Sequence, residues 1–227
     1  MPLIEIKPLK LADKALQVLS RKPDIDWIIF ISANAVNFAL IGNDGKIREY
    51  CHKAKIAAVG QATANALQQL GLVVSAIPEQ GFNSEALLAR PELQNVQGQR
   101  CVIVRGVGGR EVLADTLRAR GAEVDYLDVY ERQAPLIDPE RIVSLLQTKM
   151  LDVITITSAE ALHNLLALLP TDPWRKLLLS IPLVVISDRL CLIASTLGFI
   201  HVVVSDGVSD GAVLKIIINL VSGEDSG

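Results

Sequence analysis

The chain has 227 residues, half of them apolar and only 4% aromatic, with a formal net charge of −3. That length suits one large α/β domain or two small ones, with a core of Leu, Ile, Val and Ala. The acidic balance argues against a general nucleic-acid binder, which needs a basic surface, and no uninterrupted apolar run reaches the ~18 residues of a membrane span. The N-terminus carries no basic segment ahead of an apolar stretch, so no secretory signal is expected. Cys51, Cys101 and Cys191 are odd in number and far apart, and His52, His163 and His201 are equally scattered. They read as the reduced thiols and isolated imidazoles of a cytoplasmic protein, with no disulfide frame and no metal site.

The first element is an extended segment, PLIEIKPL, at residues 2–9. A series of strand–turn–helix units follows. WIIFISANAVNFAL predicts a strand ending near Ile31 and a helix from Ala33. IAAVGQATANALQQLG predicts a strand to Val59 and a helix closed by Gly71. CVIVRGVGGREVLADTLRARG repeats the plan with a glycine-rich turn at Gly106, Gly108 and Gly109. A second alternating segment, YLDVYERQAP, leads to two more units, DVITITSAEALHNLLALLP and PLVVISDRLCLIASTLGF. Short strands alternating with helices predict parallel sheets flanked by helices on both faces.

The units recur in order. Ser32 and Ser158 stand 126 residues apart, Gly71 and Gly198 127, and Ala86 and Ala212 126. Three matches at nearly one offset predict an internal duplication and two similar lobes. The expected organisation is a linker strand and lead-in at 1–23, a first α/β lobe at 24–127, a return linker strand at 128–134, a second lobe at 135–221 and a disordered tail at 222–227. The second half has no counterpart of the Arg105–Gly106 unit. The expectation is that such a unit stands before residue 1.

PLIEIKPL, FISANAV, AAVGQATANAL, ITSAEAL and above all VIVRGVGGREVLADTLRARGAEVDYLDVYER carry a resemblance that spans almost the whole chain. On these motifs the sequence resembles the uroporphyrinogen-III synthase family of tetrapyrrole (haem) biosynthesis, its proteobacterial members most. It departs from the family in lacking an initial strand–helix unit with an Arg-Pro turn. The resemblance implies two α/β lobes joined by a two-stranded linker, with the active site in the cleft between them. It also implies a monomer without cofactor, with at most transient contact with the preceding pathway enzyme. The implied substrate is hydroxymethylbilane, a linear tetrapyrrole with eight carboxylates. Closing it to uroporphyrinogen III inverts the last pyrrole ring and releases water.

A flexible polyanion suits many N–H donors, which helix starts supply. The candidate starts are Ser32-Ala33-Asn34, Gly60-Gln61-Ala62-Thr63, Ser84, the turn from Gly106 through Gly108 and Gly109, Ser158-Ala159, and Ser187-Asp188-Arg189. Each Ser or Thr equally reads as a helix N-cap, and a cap leaves other N–H groups free. Asp188 is a counter-signal, because its carboxylate competes with an anionic ligand. Arg105 and Arg110 flank the glycine turn and could pair with substrate carboxylates, or with Glu111, Asp115 or Glu123. Tyr130 matches the tyrosine of the family's "VY" motif and is the candidate catalytic residue, a phenol that assists loss of the departing hydroxyl. The alternative is a tyrosine packed at a hinge.

Two other readings share the same elements. A NAD(P)-dependent oxidoreductase would use Gly106 and Gly108 as a dinucleotide fingerprint, but Glu111 holds the third glycine position. A non-catalytic two-lobed protein for small anions would use the same helix starts.

Overall fold

The computed structural model describes residues 1–9, 13–21, 23–41, 46–109, 111–169 and 173–222, without the side chains of 13–16 and 46. Arg110 and the tail beyond Ser222 lie outside these residues. The chain divides into two compact units, one of Ile6–Arg132 and one of Met1–Glu5 with Gln133 onward.

The larger unit contains β1 (Glu5–Pro8) from its second residue, α1 (Asp13–Ser20), β2 (Trp27–Phe30), α2 (Ala33–Leu40), α3 (Lys46–Cys51), β3 (Lys55–Ala58), α4 (Gln61–Gln69) and α5 (Ser84–Leu88). It continues through β4 (Arg100–Gly106), α6 (Val112–Ala119) and β5 (Glu123–Gln133) up to Arg132. Its sheet has the order β1-β5-β4-β2-β3, and β5, β4, β2 and β3 run parallel. Alternation along the strands sends Ile28, Phe30, Val102 and Val104 into a core with α2 and α4. Trp27, Ile29, Cys101 and Ile103 enter a second core with α5 and α6. Burial on both faces is why these strands read as continuous apolar runs rather than alternating ones. β5 is a single eleven-residue strand that runs through the expected boundary at 127/128.

The smaller unit holds α7 (Pro139–Gln147), β6 (Ile154–Ile156), α8 (Ala159–Leu168), α9 (Trp174–Ser180), β7 (Leu183–Val185), α10 (Asp188–Thr196), β8 (Val202–Val204) and α11 (Asp210–Ser222). β6, β7 and β8 form a parallel sheet in that order. One core joins them to α7, α8, α9 and α10. The architecture is thus α/β, with two mainly parallel sheets flanked by helices.

The repeat read from the sequence reappears in the structure. Ser32 and Ser158 each cap a helix by accepting the N–H three residues on. Gly71 and Gly198 each leave a helix with positive φ, 76° and 100°, the conformation that suits glycine. A single parallel bridge, Ala57 to Ala76, lies beside β3. β8 occupies the same place beside β7, and Val202 follows Ala76 by 126 residues.

Candidate active site

Tyr130 lies near the end of β5, at an irregularity in the strand pairing. Arg105 pairs with Asp128 and Gly106 with Tyr130, so Val129 is an extra residue on β5. Such a bulge turns the following side chain onto a new face. Without it, alternation would place Tyr130 on the side of Tyr126 and Asp128. Instead Val129 and Tyr130 both enter the core of α2 and α4, while Tyr126 packs with the opposite core. The Tyr130 ring meets Phe38 of α2 with centroids 5.5 Å apart. Its hydroxyl lies 3.3 Å from Ser32 Oγ.

Ser32 has a second task. Its Oγ accepts the Ala35 N–H at 3.1 Å and caps α2, leaving its own proton to be shared with the phenol. Tyr130 is 3% exposed, whereas Ser32, Ala33 and Asn34 are half-buried. The pair is therefore a buried phenol with a serine hydroxyl at its more open side.

The glycine turn forms a different arrangement on the other face. Arg105 donates from Nε to Asp128 Oδ1 at 3.0 Å and from Nη1 to Glu111 Oε1 at 3.0 Å. Its guanidinium stacks 3.5 Å over the Tyr126 ring, and the Tyr126 hydroxyl donates to the other Glu111 oxygen. Burial pulls Arg105 toward deprotonation, but hydrogen bonds to Glu111 and then Asp128 outweigh it and hold the group above its ordinary range. Hydrogen bonds from Tyr126 and then Arg105 hold Glu111 below the usual carboxylate range. Burial, then the Glu111 contact, raises Tyr126. The turn thus carries its own carboxylate, already paired. Among the expected alternatives for Arg105, Glu111 is a partner. Asp128, which sequence reasoning missed, is the other.

Arg105, Gly108, Gly109 and Ser84 line a cavity of about 180 Å³ with Tyr126, Ile31 and Val59. Tyr130 and Ser32 do not line it. Tyr130 with Ser32, and Arg105 with Ser84, Gly108 and Gly109, therefore form two separate groups on opposite faces of the sheet.

The remaining helix starts differ in how they are capped. Gly60 caps α4 with no side-chain bond; Gln61 turns to Asn65 at 2.8 Å, and Thr63 is buried. Ser84 is the first residue of α5, whose cap is Asn83, accepting from Ala86 N–H at 2.8 Å. In the smaller unit Ser158 caps α8 ahead of Ala159 and accepts from Ala161 at 3.2 Å. Ser187 caps α10 and accepts from Leu190 at 3.4 Å. Asp188 and Arg189 are both exposed.

Arg100 had no sequence signal as a special residue. It is fully buried, paired with Asp125 at 2.9 Å, and donates to the carbonyls of Val18, Arg21 and Pro23. Among the described residues no three His, Cys, Asp or Glu side chains gather as metal ligands. No described helix is long and apolar enough to cross a membrane.

The fold is that of an α/β protein with parallel sheets, a class in which ligands ordinarily meet the carboxyl ends of the strands, where helix starts face them. The family model for uroporphyrinogen-III synthase HemD matches residues 1–215. The Escherichia coli K12 uroporphyrinogen-III synthase is 34% identical over 214 residues, covering 94% of this chain and 87% of the relative. The Salmonella typhimurium enzyme is 35% identical over 216 residues, with the same coverage. In fold, the chain is similar to the uroporphyrinogen-III synthetase of Helicobacter pylori, with a TM-score of 0.64 at 16% identity over 96% of this chain and 91% of that one. It is also similar to a Thermus thermophilus uroporphyrinogen III synthase, with a TM-score of 0.59 at 19% identity over 98% and 88%. The chain belongs to the uroporphyrinogen-III synthase family, hydro-lyases of tetrapyrrole biosynthesis.

Proposed function

We propose that the chain closes hydroxymethylbilane to uroporphyrinogen III, with Tyr130 assisting departure of the hydroxyl as water. Family membership supports the reaction; the Ser32–Tyr130 hydroxyl pair supports the assignment of residues. A phenol that shares its hydrogen bond with a serine can donate toward a leaving oxygen while the serine reorients. Loss of the hydroxyl leaves an azafulvene, an electrophile stabilised by its pyrrole nitrogen. Attack by the substituted carbon of the last ring gives a spiro intermediate. Fragmentation and re-closure invert that ring.

The bilane also closes unaided, without inversion. The protein's main contribution is therefore orientation of the chain, more than acid strength. The starts of α2 and α4 in one unit, and of α8 and α10 in the other, offer N–H groups to its carboxylates. Gly60 supports this assignment for α4, because it leaves the first turn without a side-chain cap. Arg105 is already engaged by Glu111 and Asp128, so its contribution to binding is to shape the cavity wall. Ser84, Gly108, Gly109, Ser187 and Arg189 complete the proposed binding residues.

The protein is proposed to act as a cytoplasmic monomer without cofactor, meeting the enzyme that supplies the bilane only transiently. Supplying purified protein with hydroxymethylbilane tests the reading. The expected product is mainly the type III isomer, with no added cofactor and no effect of chelators. Type I isomer alone would overturn it.

A further inference from the structure

We propose that Gly106 is a positioning residue for the reaction, acting through Tyr130; the inference rests on the reading of Tyr130 above. Gly106 and Tyr130 are cross-strand partners beyond the bulge at Val129. A Cβ placed on Gly106 would lie 2.4 Å from Tyr130 Cε2 and 2.5 Å from Cζ. No real contact tolerates that approach, so any side chain at 106 displaces the ring.

The ring has little room to yield. It is 3% exposed and meets Phe38 on α2. Its backbone is also tied down, because Tyr130 O accepts the Val107 N–H at 2.8 Å and Val129 O accepts the Leu9 N–H at 3.0 Å. A displaced ring therefore swings about its side-chain bonds, and its hydroxyl leaves Ser32 Oγ. Three features thus fix one hydroxyl: the bulge selects the face, Gly106 opens the space, and Ser32 and Phe38 define where the phenol ends.

The position is not required to be glycine for its backbone, since Gly106 is absent from the residues with positive φ. Gly108 and Gly109, in the same turn, have φ of 76° and 113°, and a Cβ on either would meet nothing within 4 Å. The three glycines of the turn therefore have two different reasons. Only at 106 is the reason the tyrosine.

Gly106→Ala is expected to lower kcat about tenfold or more while KM stays within about twofold, because orientation at the reacting centre is lost and carboxylate binding is kept. In a Tyr130→Ala background the clash is gone, so adding Gly106→Ala should cost no further kcat and no thermal stability. An unchanged kcat for Gly106→Ala, or the same proportionate loss in both backgrounds, would overturn the proposal. If Gly106→Ala alone does not fold, the double variant decides: folding like Tyr130→Ala supports the proposal, and failure to fold refutes it. Tyr130→Phe, measured alongside, separates the two ideas. Wild-type turnover there overturns the assignment to Tyr130, whereas equal losses from Gly106→Ala in both backgrounds overturn the positioning alone.

Discussion

Arg100 is a charge sealed in the interior, yet its donors all have destinations. Asp125 takes Nε and Nη2, and the Arg21 and Pro23 carbonyls take Nη1 at 2.6 and 3.0 Å. Asp26 accepts its backbone N–H at 2.8 Å. One side chain thus joins the end of α1 and the loop before β2 to β4 and β5. Arg100→Met leaves three carbonyls without their donor and Asp125 with only Arg21, 3.8 Å away, so it is expected to cost about 3–5 kcal/mol. Urea denaturation checks this, and a cost under about 1 kcal/mol, the size of a surface pair, would refute the staple. In the sequence Arg100 is only the polar residue ahead of CVIV. Its partners lie 25 to 82 residues away, and no local pattern encodes them. Ser32 and Ser158 were legible because a cap is a local event, completed three residues on.

At the scale of elements, the strand–turn–helix units were readable because their signals repeat every few residues. The bulge in β5 was not, since VDYLDVY alternates without a mark at Val129. It is a feature of the pairing with β4, where Gly106 stands opposite Tyr130 and leaves room for its ring. The start of α6 is a second case. The glycine turn reads as an anion cradle, but Arg105, Glu111 and Tyr126 close on one another across it. This clasp gives a pH dependence with a definite sign. The Glu111 carboxyl is depressed in the folded state by Tyr126 and then Arg105. Its stabilisation is therefore present above the unfolded carboxyl pKa of about 4.3 and is lost as pH falls through the folded value. Glu111→Gln is expected to lower the thermal midpoint slightly at neutral pH, with the difference disappearing in acid. A difference that persists unchanged in acid would show that charge at Glu111 is not what holds the clasp.

At the scale of the whole chain, the two units repeat one plan but are unequally provided. Among the described residues the larger has five strands and two cores, one on each face of its sheet. Among them the smaller has three strands of three residues and one core, and no residue of α11 is buried. Stability follows buried apolar area, so the smaller unit is expected to unfold first in urea. The two tryptophans allow this to be read directly, because Trp27 lies in the larger unit and Trp174 in the smaller. A Trp174→Phe variant reports only Trp27, and a Trp27→Phe variant reports only Trp174. In each variant the unit being observed is the one left unaltered, so the substitution does not bias its own reporter. The Trp174 transition should have the lower midpoint. Coincident transitions would instead mean a single cooperative block. The duplication was visible at a fixed offset, but the inequality was not. It depends on how many strands each sheet gathers and on which helix faces find a partner, and both are set by contacts between distant segments.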